Sequence, residues 1–337
     1  MRLIRVAPRV NPSSLLIIGT RGFIFFRANA NSLLSSAKIA GEWRNQMKNA
    51  IRFEDFTYEY PRSGKGLNRV SFEVPQGSFT VLTGANGSGK TTACLAMTGL
   101  VPHYFGGRMA GKVWVDGMQT AGRAVAEISK DVGLVMDDYE SQLMALTVFD
   151  EVAFALENGG VPAAEIRIRV RQALEEVGLG GLEERELSQL SGGQRQRLAV
   201  ASVITSAPKV LILDEPASAL DPEGAEELYA FLARLNQETG MTVIVAEHDL
   251  ARALPHADQI IVMENGAVAA IGKPSTVFSA MLQHGHYIEA IPAVRRLQAI
   301  LEESGYLEVG ADWRNDADAV TEINQVLEGK RRLSLSA

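Results

Sequence analysis

The chain has 337 residues, of which 46% are hydrophobic and 22% are charged, and its formal net charge is −7. This size allows one large core or two modest ones, and the composition is ordinary for a soluble globular protein. The negative charge argues against a general nucleic-acid binder, and the single cysteine, Cys94, excludes an internal disulfide or a cysteine-based zinc site. After residue 46 no apolar run reaches the ~18 residues of a membrane-spanning helix, so we expect the chain not to span a membrane by itself.

Residues 1–46 differ in composition from the rest of the chain. The first acidic residue is Glu42, whereas basic residues recur from Arg2 onward. This basic, acid-poor and serine-containing segment resembles a targeting peptide, and the alternative is a misassigned start with Met47 as the true first residue. In either case we expect residues 1–46 to be a poorly ordered extension without a function.

Two strand-like segments follow this extension. Residues 51–60 alternate loosely between apolar and polar side chains, residues 70–74 alternate strictly, and residues 75–77 form a turn. They predict an antiparallel hairpin region, distinct from the α/β core that follows. Tyr60 lies just before a proline and a flexible turn, where its ring could stack on a nucleotide base or simply pack in the strand.

Residues 84–92 read GANGSGKTT and fit the phosphate-binding pattern G-x-x-x-x-G-K-[ST]. An apolar run at residues 78–83 predicts a strand before the loop, and residues 93–100 predict a helix after it. The glycines let backbone N–H groups turn toward phosphate oxygens, and the helix N-terminus adds a positive dipole. Lys90 is expected to reach the β- and γ-phosphates, and the Thr91 hydroxyl to bind Mg²⁺. The predicted nucleotide-binding residues of the loop are Gly84, Asn86, Gly87, Ser88, Gly89, Lys90, Thr91 and Thr92.

A continuous apolar run at residues 210–213 predicts a strand in the centre of a parallel sheet, and it ends in Asp214 and Glu215. Asp214 is placed to hold Mg²⁺ through water and Glu215 to polarise an attacking water, although a solvated strand end is the alternative. The next predicted strand, residues 241–246, ends at the same edge, where His248 is either structural or in contact with a γ-phosphate.

Residues 143–190 are predicted to be mainly helical and lead into the sequence LSGGQ. A serine and two glycines at the start of a helix make an anion-binding terminus. Beyond residue 281, helices predicted to begin at Pro292 and Asp316 are amphipathic and bury little core between them. They need the main domain or a second copy of the chain to dock on.

The phosphate loop, LSGGQ, the strand ending in Asp214 and Glu215, and His248 together resemble the ATP-binding cassette (ABC) ATPases over roughly residues 50–280. The resemblance implies an α/β P-loop NTPase fold: a RecA-like parallel sheet, an antiparallel β subdomain, an α-helical signature subdomain and a small C-terminal helical annex. We therefore expect the ATPase domain at residues 47–281, with its helical subdomain at about 140–205, and the annex at residues 282–337.

The same resemblance assigns roles to residues, with ATP as substrate and Mg²⁺ as cofactor. Lys90, Glu215 as the base and His248 as the switch histidine are the implied catalytic residues, and Tyr60 matches the base-stacking aromatic. Thr91 and Asp214 are the implied metal ligands. Five signature residues would complete the site in trans, on the nucleotide of a partner: Leu190, Ser191, Gly192, Gly193 and Gln194. Ser218 and Asp221 match a loop that communicates between the two sites of a dimer.

Residues 140–154 and 292–307 look like the ATPase subunit of energy-coupling factor (ECF) transporters, which import vitamins and transition-metal ions. This implies a second ATPase subunit, identical or paralogous, integral membrane and substrate-binding subunits, no nucleic-acid partner, and a peripheral location on the cytoplasmic face of the cell membrane. In that family the first segment forms a groove for a coupling helix of the membrane subunit. Its apolar residues supply such a groove or form subdomain core: Leu143, Met144, Leu146, Val148 and Phe149.

The chain departs from the family at Asp137, where a glutamine that senses the γ-phosphate and Mg²⁺ is usual. An aspartate there could ligate Mg²⁺, or its charge could weaken ATP binding. Gln142 is expected to lie too far along to substitute. Two alternatives to transport are an ABC ATPase of translation or DNA maintenance, and a regulatory ATP-binding module that hydrolyses weakly. The first usually has tandem cassettes, coiled coils or zinc cysteines, which this sequence lacks.

Overall fold

The computed structural model describes residues 48–284, 291–307, 313 and 315–335, with two short pairs near the N-terminus. The chain divides into two compact units, Met1–Lys48 and Asn49–Ala337. In the first unit Ile17–Ile18 pairs antiparallel with Ile24–Phe25. The rest of the expectation for residues 1–46 lies outside the described residues.

The second unit contains two sheets and the helices that cover them. Its described strands are β1 (Asn49–Glu59), β2 (Gly66–Pro75), β3 (Phe79–Thr83), β4 (Arg108–Val115), β5 (Met118–Gln119), β6 (Val132–Val135), β7 (Val210–Asp214), β8 (Thr242–Glu247), β9 (Gln259–Glu264) and β10 (Ala267–Gly272). Its described α-helices are α1 (Lys90–Met97), α2 (Leu100–His103), α3 (Val125–Ile128), α4 (Val148–Asn158), α5 (Ala163–Glu176), α6 (Gly192–Ile204), α7 (Pro222–Thr239), α8 (Leu250–Ala253), α9 (Pro274–His284), α10 (Ala293–Glu303) and α11 (Asp316–Leu335).

The larger sheet has the strand order β10-β9-β3-β8-β7-β6. Its strands are parallel except for β10, which pairs antiparallel with β9. Every residue of β3, β7 and β8 is buried, as a parallel sheet covered on both faces requires. The carboxyl ends of the parallel strands therefore meet at one edge, which carries the loops that follow β3, β6, β7 and β8.

The smaller sheet has the order β2-β1-β4-β5 and is antiparallel throughout. This confirms the predicted antiparallel region. Phe53 of β1 stacks on Phe72 of β2, with ring centroids 4.4 Å apart. The aromatic pair belongs to a core that also buries Cys94 of α1, so the lone cysteine is a packing residue behind the glycine loop.

Helices α4, α5 and α6 pack against one another beside the larger sheet. Thr147 caps α4 by accepting a hydrogen bond from the backbone N–H of Asp150. In α5 Ile166 and Val170 are buried, but Ile168 is 60% exposed. Ile168 follows Ile166 by two residues, which is roughly 200° around the helix, so it lies on the opposite face.

The C-terminal helices dock on the same chain. The guanidinium of Arg295 on α10 lies 5.7 Å from the ring centroid of Phe278 on α9. Between α10 and α11, Trp313 is buried with Leu307 and Ala319. Other apolar side chains of these two helices are exposed: Leu297, Ile300, Val320 and Leu327. In the described part of the chain, none of the helices is long and apolar enough to cross a membrane.

Candidate functional site

The glycine loop between β3 and α1 is closed around the side chain of Lys90. The buried Lys90 ammonium donates to the carbonyl oxygens of Gly84 at 2.9 Å and Ala85 at 3.4 Å. A turn bond from the N–H of Ser88 to the carbonyl of Ala85, 3.0 Å long, shapes the tip of the loop. The ammonium therefore sits where the loop would receive phosphate, as the motif predicts.

The β9–β10 hairpin supports the loop from behind. The N–H of Gly266 donates to the carbonyl of Ser88 at 2.9 Å. A Cβ at Gly84 would overlap the carbonyl oxygen of Met263, and Gly84 has a φ of 150°. Only glycine fits at this position, because both the backbone conformation and the close approach to β9 exclude a side chain.

Three buried side-chain oxygens of this region have no hydrogen-bond partner among the described residues. They are Oγ1 of Thr83, Oγ of Ser88 and Oδ1 of Asp214. Unpaired buried polar atoms cost free energy, so their concentration at one sheet edge indicates a place for a ligand. Burial raises the pKa of the Asp214 carboxyl above its ordinary value, while a hydrogen bond with the Thr91 side chain opposes this.

Glu215 follows β7 with a φ of 49°, in the left-handed region that non-glycine residues rarely adopt. Its N–H donates to the carbonyl of Ala246 at 2.9 Å, which holds this conformation at the end of β8. Strained conformations of this kind concentrate at functional sites. His248, which follows β8, has Nδ1 3.6 Å from Oε1 of Glu215. The structure therefore brings the predicted acid and histidine together.

Asp137 lies in the loop after β6, at the same edge of the sheet. Burial and the nearby charges of Glu215 and Asp138 raise the pKa of the Asp137 carboxyl. Gln142 faces another way: its side chain accepts from the N–H of Met136 at 2.8 Å and donates to the carbonyl of Leu134 at 3.1 Å. Because Gln142 is bound to the end of β6, it does not take the place of the glutamine that Asp137 replaces.

Tyr60 lies beside the start of α1. Its hydroxyl is 3.3 Å from Oγ1 of Thr92, and its ring meets those of Tyr58 and Phe105 edge to face, with centroids 4.8 and 6.4 Å away. The ring is half-buried, so it is neither pure core nor free surface. This position next to the phosphate loop suits an aromatic that contacts a nucleotide base.

The LSGGQ residues form the capped N-terminus of α6. Ser191 accepts from the N–H of Gln194, and the Gln194 side chain accepts from the N–H of Ser191, which makes a capping box. Leu190 is buried beneath the turn, whereas Ser191 is exposed and Gly192 and Gly193 are half-buried. A hydroxyl that accepts one hydrogen bond keeps its own proton to donate, so Ser191 remains available to an anion.

The loop after Glu215 connects the carboxyl-end edge of the larger sheet to α7. Ser218 is exposed, and its N–H donates to the carbonyl of Glu215 at 3.2 Å. Asp221 caps α7 by accepting from the N–H of Gly224 at 2.7 Å. Both predicted inter-site residues thus lie directly beyond Glu215.

Sequence reasoning missed two links around the Asp137 loop. The Tyr139 hydroxyl donates to the carbonyl of Gly192 at 3.4 Å, and Glu140 pairs with Arg195 at 3.0 Å. Together they join this loop to the LSGGQ helix. The sequence signal was weak, since residues 137–142 look like an ordinary polar loop.

The predicted groove residues are divided between core and surface. Val148 is fully buried, and Leu143 and Phe149 pack against the core, so for these three the core alternative holds. Met144 is 73% exposed and Leu146 is 81% exposed. Phe154, on α4, is also exposed.

The backbone of the segment with Met144 is held by a buried carboxylate on α4. Glu151 accepts from the N–H groups of Met144 and Ala145, both at 2.9 Å. The two bonds fix the backbone, so the exposed side chains beside them are presented on an ordered loop. We call Met144, Leu146 and Phe154 the apolar surface below.

A parallel sheet with a glycine loop, a buried lysine and a strand-end acid at one edge defines a P-loop NTPase. Residues 67–218 match the family described as ABC transporter. The energy-coupling factor transporter ATP-binding protein EcfA1 of Lactobacillus delbrueckii subsp. bulgaricus is 38% identical over 258 residues, 76% of this chain and 90% of that protein. The chain belongs to the ATP-binding proteins of ABC transporters, which are ATPases coupled to transport.

The solved structures that are similar to this chain include the following two. One is cbiO1 of Clostridium perfringens, part of the ABC transporter complex cbiONQ, with a TM-score of 0.63, 29% identity, and coverage of 77% of this chain and 98% of that one. The other is a dimeric ATP-binding cassette in a post-hydrolysis state bound to ADP and phosphate, with a TM-score of 0.59, 27% identity, and coverage of 66% and 98%. Both support the fold assignment.

Proposed function

We propose that this chain is the nucleotide-binding subunit of an ECF-type importer and that it hydrolyses ATP at the edge formed by β3, β6, β7 and β8. The observation that carries the proposal is the assembly of the phosphate loop, Asp214, Glu215 and His248 at this edge. The chain belongs to a family of ATPases, and catalysis of phosphoryl transfer depends mainly on positioning the reactants and stabilising charge. We propose that these residues supply both.

Each residue has a role in the proposed reaction. Lys90 moves from the loop carbonyls to the β- and γ-phosphates, and the Ser88 hydroxyl, unpaired and buried, donates to the same oxygens. Glu215 accepts the proton of the attacking water, and His248 contacts the γ-phosphate. Tyr60 stacks on the base.

The residues at the end of β7 fit Mg²⁺. Asp214 has a buried oxygen without a partner, and a hydrogen bond already holds its carboxylate beside Thr91. A carboxylate and a hydroxyl are oxygen ligands of the kind that Mg²⁺ prefers, and substrate phosphates complete such sites. Bound Mg²⁺ neutralises charge on the phosphate oxygens. No set of three or more His, Cys, Asp or Glu is arranged for a metal in the described ranges.

The proposed active unit is a dimer in which Ser191, Gly192, Gly193 and Gln194 bind the nucleotide of the partner. The capped end of α6 is a second anion-binding terminus, and Ser191 is exposed on it. The dimeric post-hydrolysis cassette with ADP and phosphate supports this arrangement. The partner is a second copy or a paralogue.

The proposed membrane contact is the apolar surface of Met144, Leu146 and Phe154. Met144 and Leu146 are exposed on a loop with a fixed backbone and Phe154 is exposed on α4, and exposed apolar side chains of this kind suit a coupling helix from a membrane subunit. We infer that this contact holds the chain at the cytoplasmic face of the membrane and that the transported substrate is a vitamin or a transition-metal ion. The similarity to EcfA1 and cbiO1 supports the ECF class.

A second candidate function is a regulatory module that binds ATP and hydrolyses it slowly. Asp137 favours it, because the carboxylate adds negative charge near Glu215 and the phosphates. Single-turnover phosphate release by the purified chain separates the two candidates.

The deciding experiment uses Glu215→Gln as bait in mild-detergent extracts of native membranes, with mass spectrometry of the captured proteins. Capture of two integral membrane proteins, one of them small and variable between complexes, supports the ECF importer. Capture of ribosomes or of soluble proteins alone overturns the transport assignment. Lys90→Ala, which we expect not to bind nucleotide, is the matched control for partners that require the ATP-bound form.

A further inference from the structure

A buried tyrosine–carboxylate pair lies beneath His248 and has no role in the function proposed above. The Tyr229 hydroxyl on α7 donates to Oε1 of Glu247 at 2.6 Å. Both side chains are buried, with exposed fractions of 1% for Tyr229 and 5% for Glu247. Burial raises the pKa of Tyr229 well above 10.0, so its hydroxyl keeps the proton that it donates.

The second oxygen of Glu247 faces the histidine. Oε2 of Glu247 lies 3.8 Å from Nδ1 of His248, and Oε1 of Glu215 lies 3.6 Å from the same nitrogen. Hydrogen bonds to nitrogen are shorter than about 3.2 Å, so the imidazole sits between two carboxylates without a formed bond to either. The one proton on Nδ1 satisfies only one of them.

We propose that Tyr229 and Glu247 are positioning residues that hold the Nδ1–H of His248 away from Glu215 during ATP hydrolysis. The Tyr229 hydroxyl donates to Oε1 of Glu247. This bond leaves Oε2 as the oxygen that accepts a hydrogen bond from Nδ1 of His248. Both carboxylate oxygens of Glu215 then remain available to accept hydrogen bonds from the attacking water. This inference rests on the ATPase function proposed above.

The pair also connects His248 to the inter-site loop. Tyr229 lies about two turns into α7, and the same helix begins at the Asp221 cap. A shift of α7 therefore moves the Glu247 carboxylate, and with it the imidazole. The switch histidine is in this way coupled to the loop that links the two sites of the proposed dimer.

The test is steady-state ATP hydrolysis by the purified full chain, with kcat expressed per site that binds a fluorescent ATP analogue. Tyr229→Phe and Glu247→Gln should each lower kcat roughly 10- to 150-fold, as expected for the loss of a hydrogen bond to a charged group, and leave KM within about 2-fold. The double variant should be no slower than Glu247→Gln, because Tyr229 acts through Glu247.

Thr242→Val is the matched control on the same strand. Buried Thr242 accepts from the N–H of Gly77 at 2.9 Å, so the variant loses a part-buried hydrogen bond at the far end of β8. It should melt at a lower temperature with an unchanged kcat. Equal kcat for Tyr229→Phe and the wild type, or equal losses in Tyr229→Phe and Thr242→Val, overturns the inference.

A second measurement places Tyr229→Phe in a His248→Ala background. The added substitution should leave the residual rate unchanged, because the residue that it positions is gone. A further loss means that Tyr229 acts by another route and overturns the inference. A wild-type chain that shows no turnover contradicts the proposed function itself, which is a distinguishable result.

Discussion

Nδ1 of His248 lies 3.6 Å from Oε1 of Glu215, although the two residues follow different strands of the sheet. β7 and β8 are parallel neighbours, with Asp214 paired to Ala246, so the residues that follow each strand emerge side by side. The register of these two strands therefore sets the distance between the proposed base and the proposed γ-phosphate contact.

Glu215→Gln should lower kcat by about 10²- to 10⁴-fold, the usual contribution of a general base, and leave ATP binding intact. Uncleaved ATP should then hold two chains together, which size-exclusion chromatography with light scattering would detect as a dimer. Glu238→Gln removes an exposed acid near the far end of α7 and serves as the control. Unchanged turnover in Glu215→Gln excludes the base role.

Lys90→Ala should abolish ATP binding measured by calorimetry. The variant loses the charge that faces the phosphates and also the two bonds that close the loop on Gly84 and Ala85. Lys130→Ala, an exposed lysine in the loop before β6, is the control. Retained affinity in Lys90→Ala means that ATP binds at another site.

Met144→Ser with Leu146→Ser should remove the membrane subunits from the capture experiment, because polar side chains replace the exposed apolar contacts. Nucleotide binding should remain, since the glycine loop is untouched. The control is Ile168→Ser, which changes another exposed apolar residue, on α5. Full capture by the double variant would contradict the proposed docking surface.

Glu247→Gln should change the pH dependence of stability. Burial raises the pKa of the Glu247 carboxyl above its ordinary value of 4.5, although the bond from Tyr229 opposes the shift. The stability that this group contributes is therefore fully present below pH 4.5 and is lost as the pH rises through the folded-state pKa.

Glu247→Gln has no carboxyl group to titrate at this position, so it does not lose this stability as the pH rises. The difference between the Tm of the variant and the Tm of the wild type should therefore increase from pH 4.5 to pH 8. Thermal unfolding without nucleotide measures the difference. A difference independent of pH would show that the carboxyl does not titrate in this range. A Tm difference that rises with pH, combined with lower turnover, is the expected pattern for a residue kept for function rather than stability.

The sequence predicted the phosphate loop, LSGGQ and the acid at the end of β7 because each depends on a short local pattern. Glycine spacing and a continuous apolar strand identify a binding edge without knowledge of distant residues. The division of the Met144–Val148 segment into exposed and buried residues was harder to predict, because apolar residues in a loop follow no helical or strand period.

The Tyr229–Glu247 pair was not predicted because its members are 18 residues apart and meet only through tertiary packing. Gln142 illustrates the same limit. From its sequence position Gln142 was expected to lie too far along the chain to substitute for the usual glutamine, and its placement in the structure is consistent with this. The hydrogen bonds to Leu134 and Met136 that hold its side chain have no signal in the sequence. Long-range polar contacts of this kind depend on register, which composition does not specify.

The two bonds from Glu151 to the backbone of Met144 and Ala145 determine where a mechanical load would go. Glu151 belongs to α4, which packs against α6, and α6 begins with the signature residues. A force applied to this segment would therefore pass through the Glu151 carboxylate into α4 and on to its contact with α6. Glu151 is the side chain that ties the exposed segment to the helix packed against the signature helix, so load on one end reaches the other through a single carboxylate.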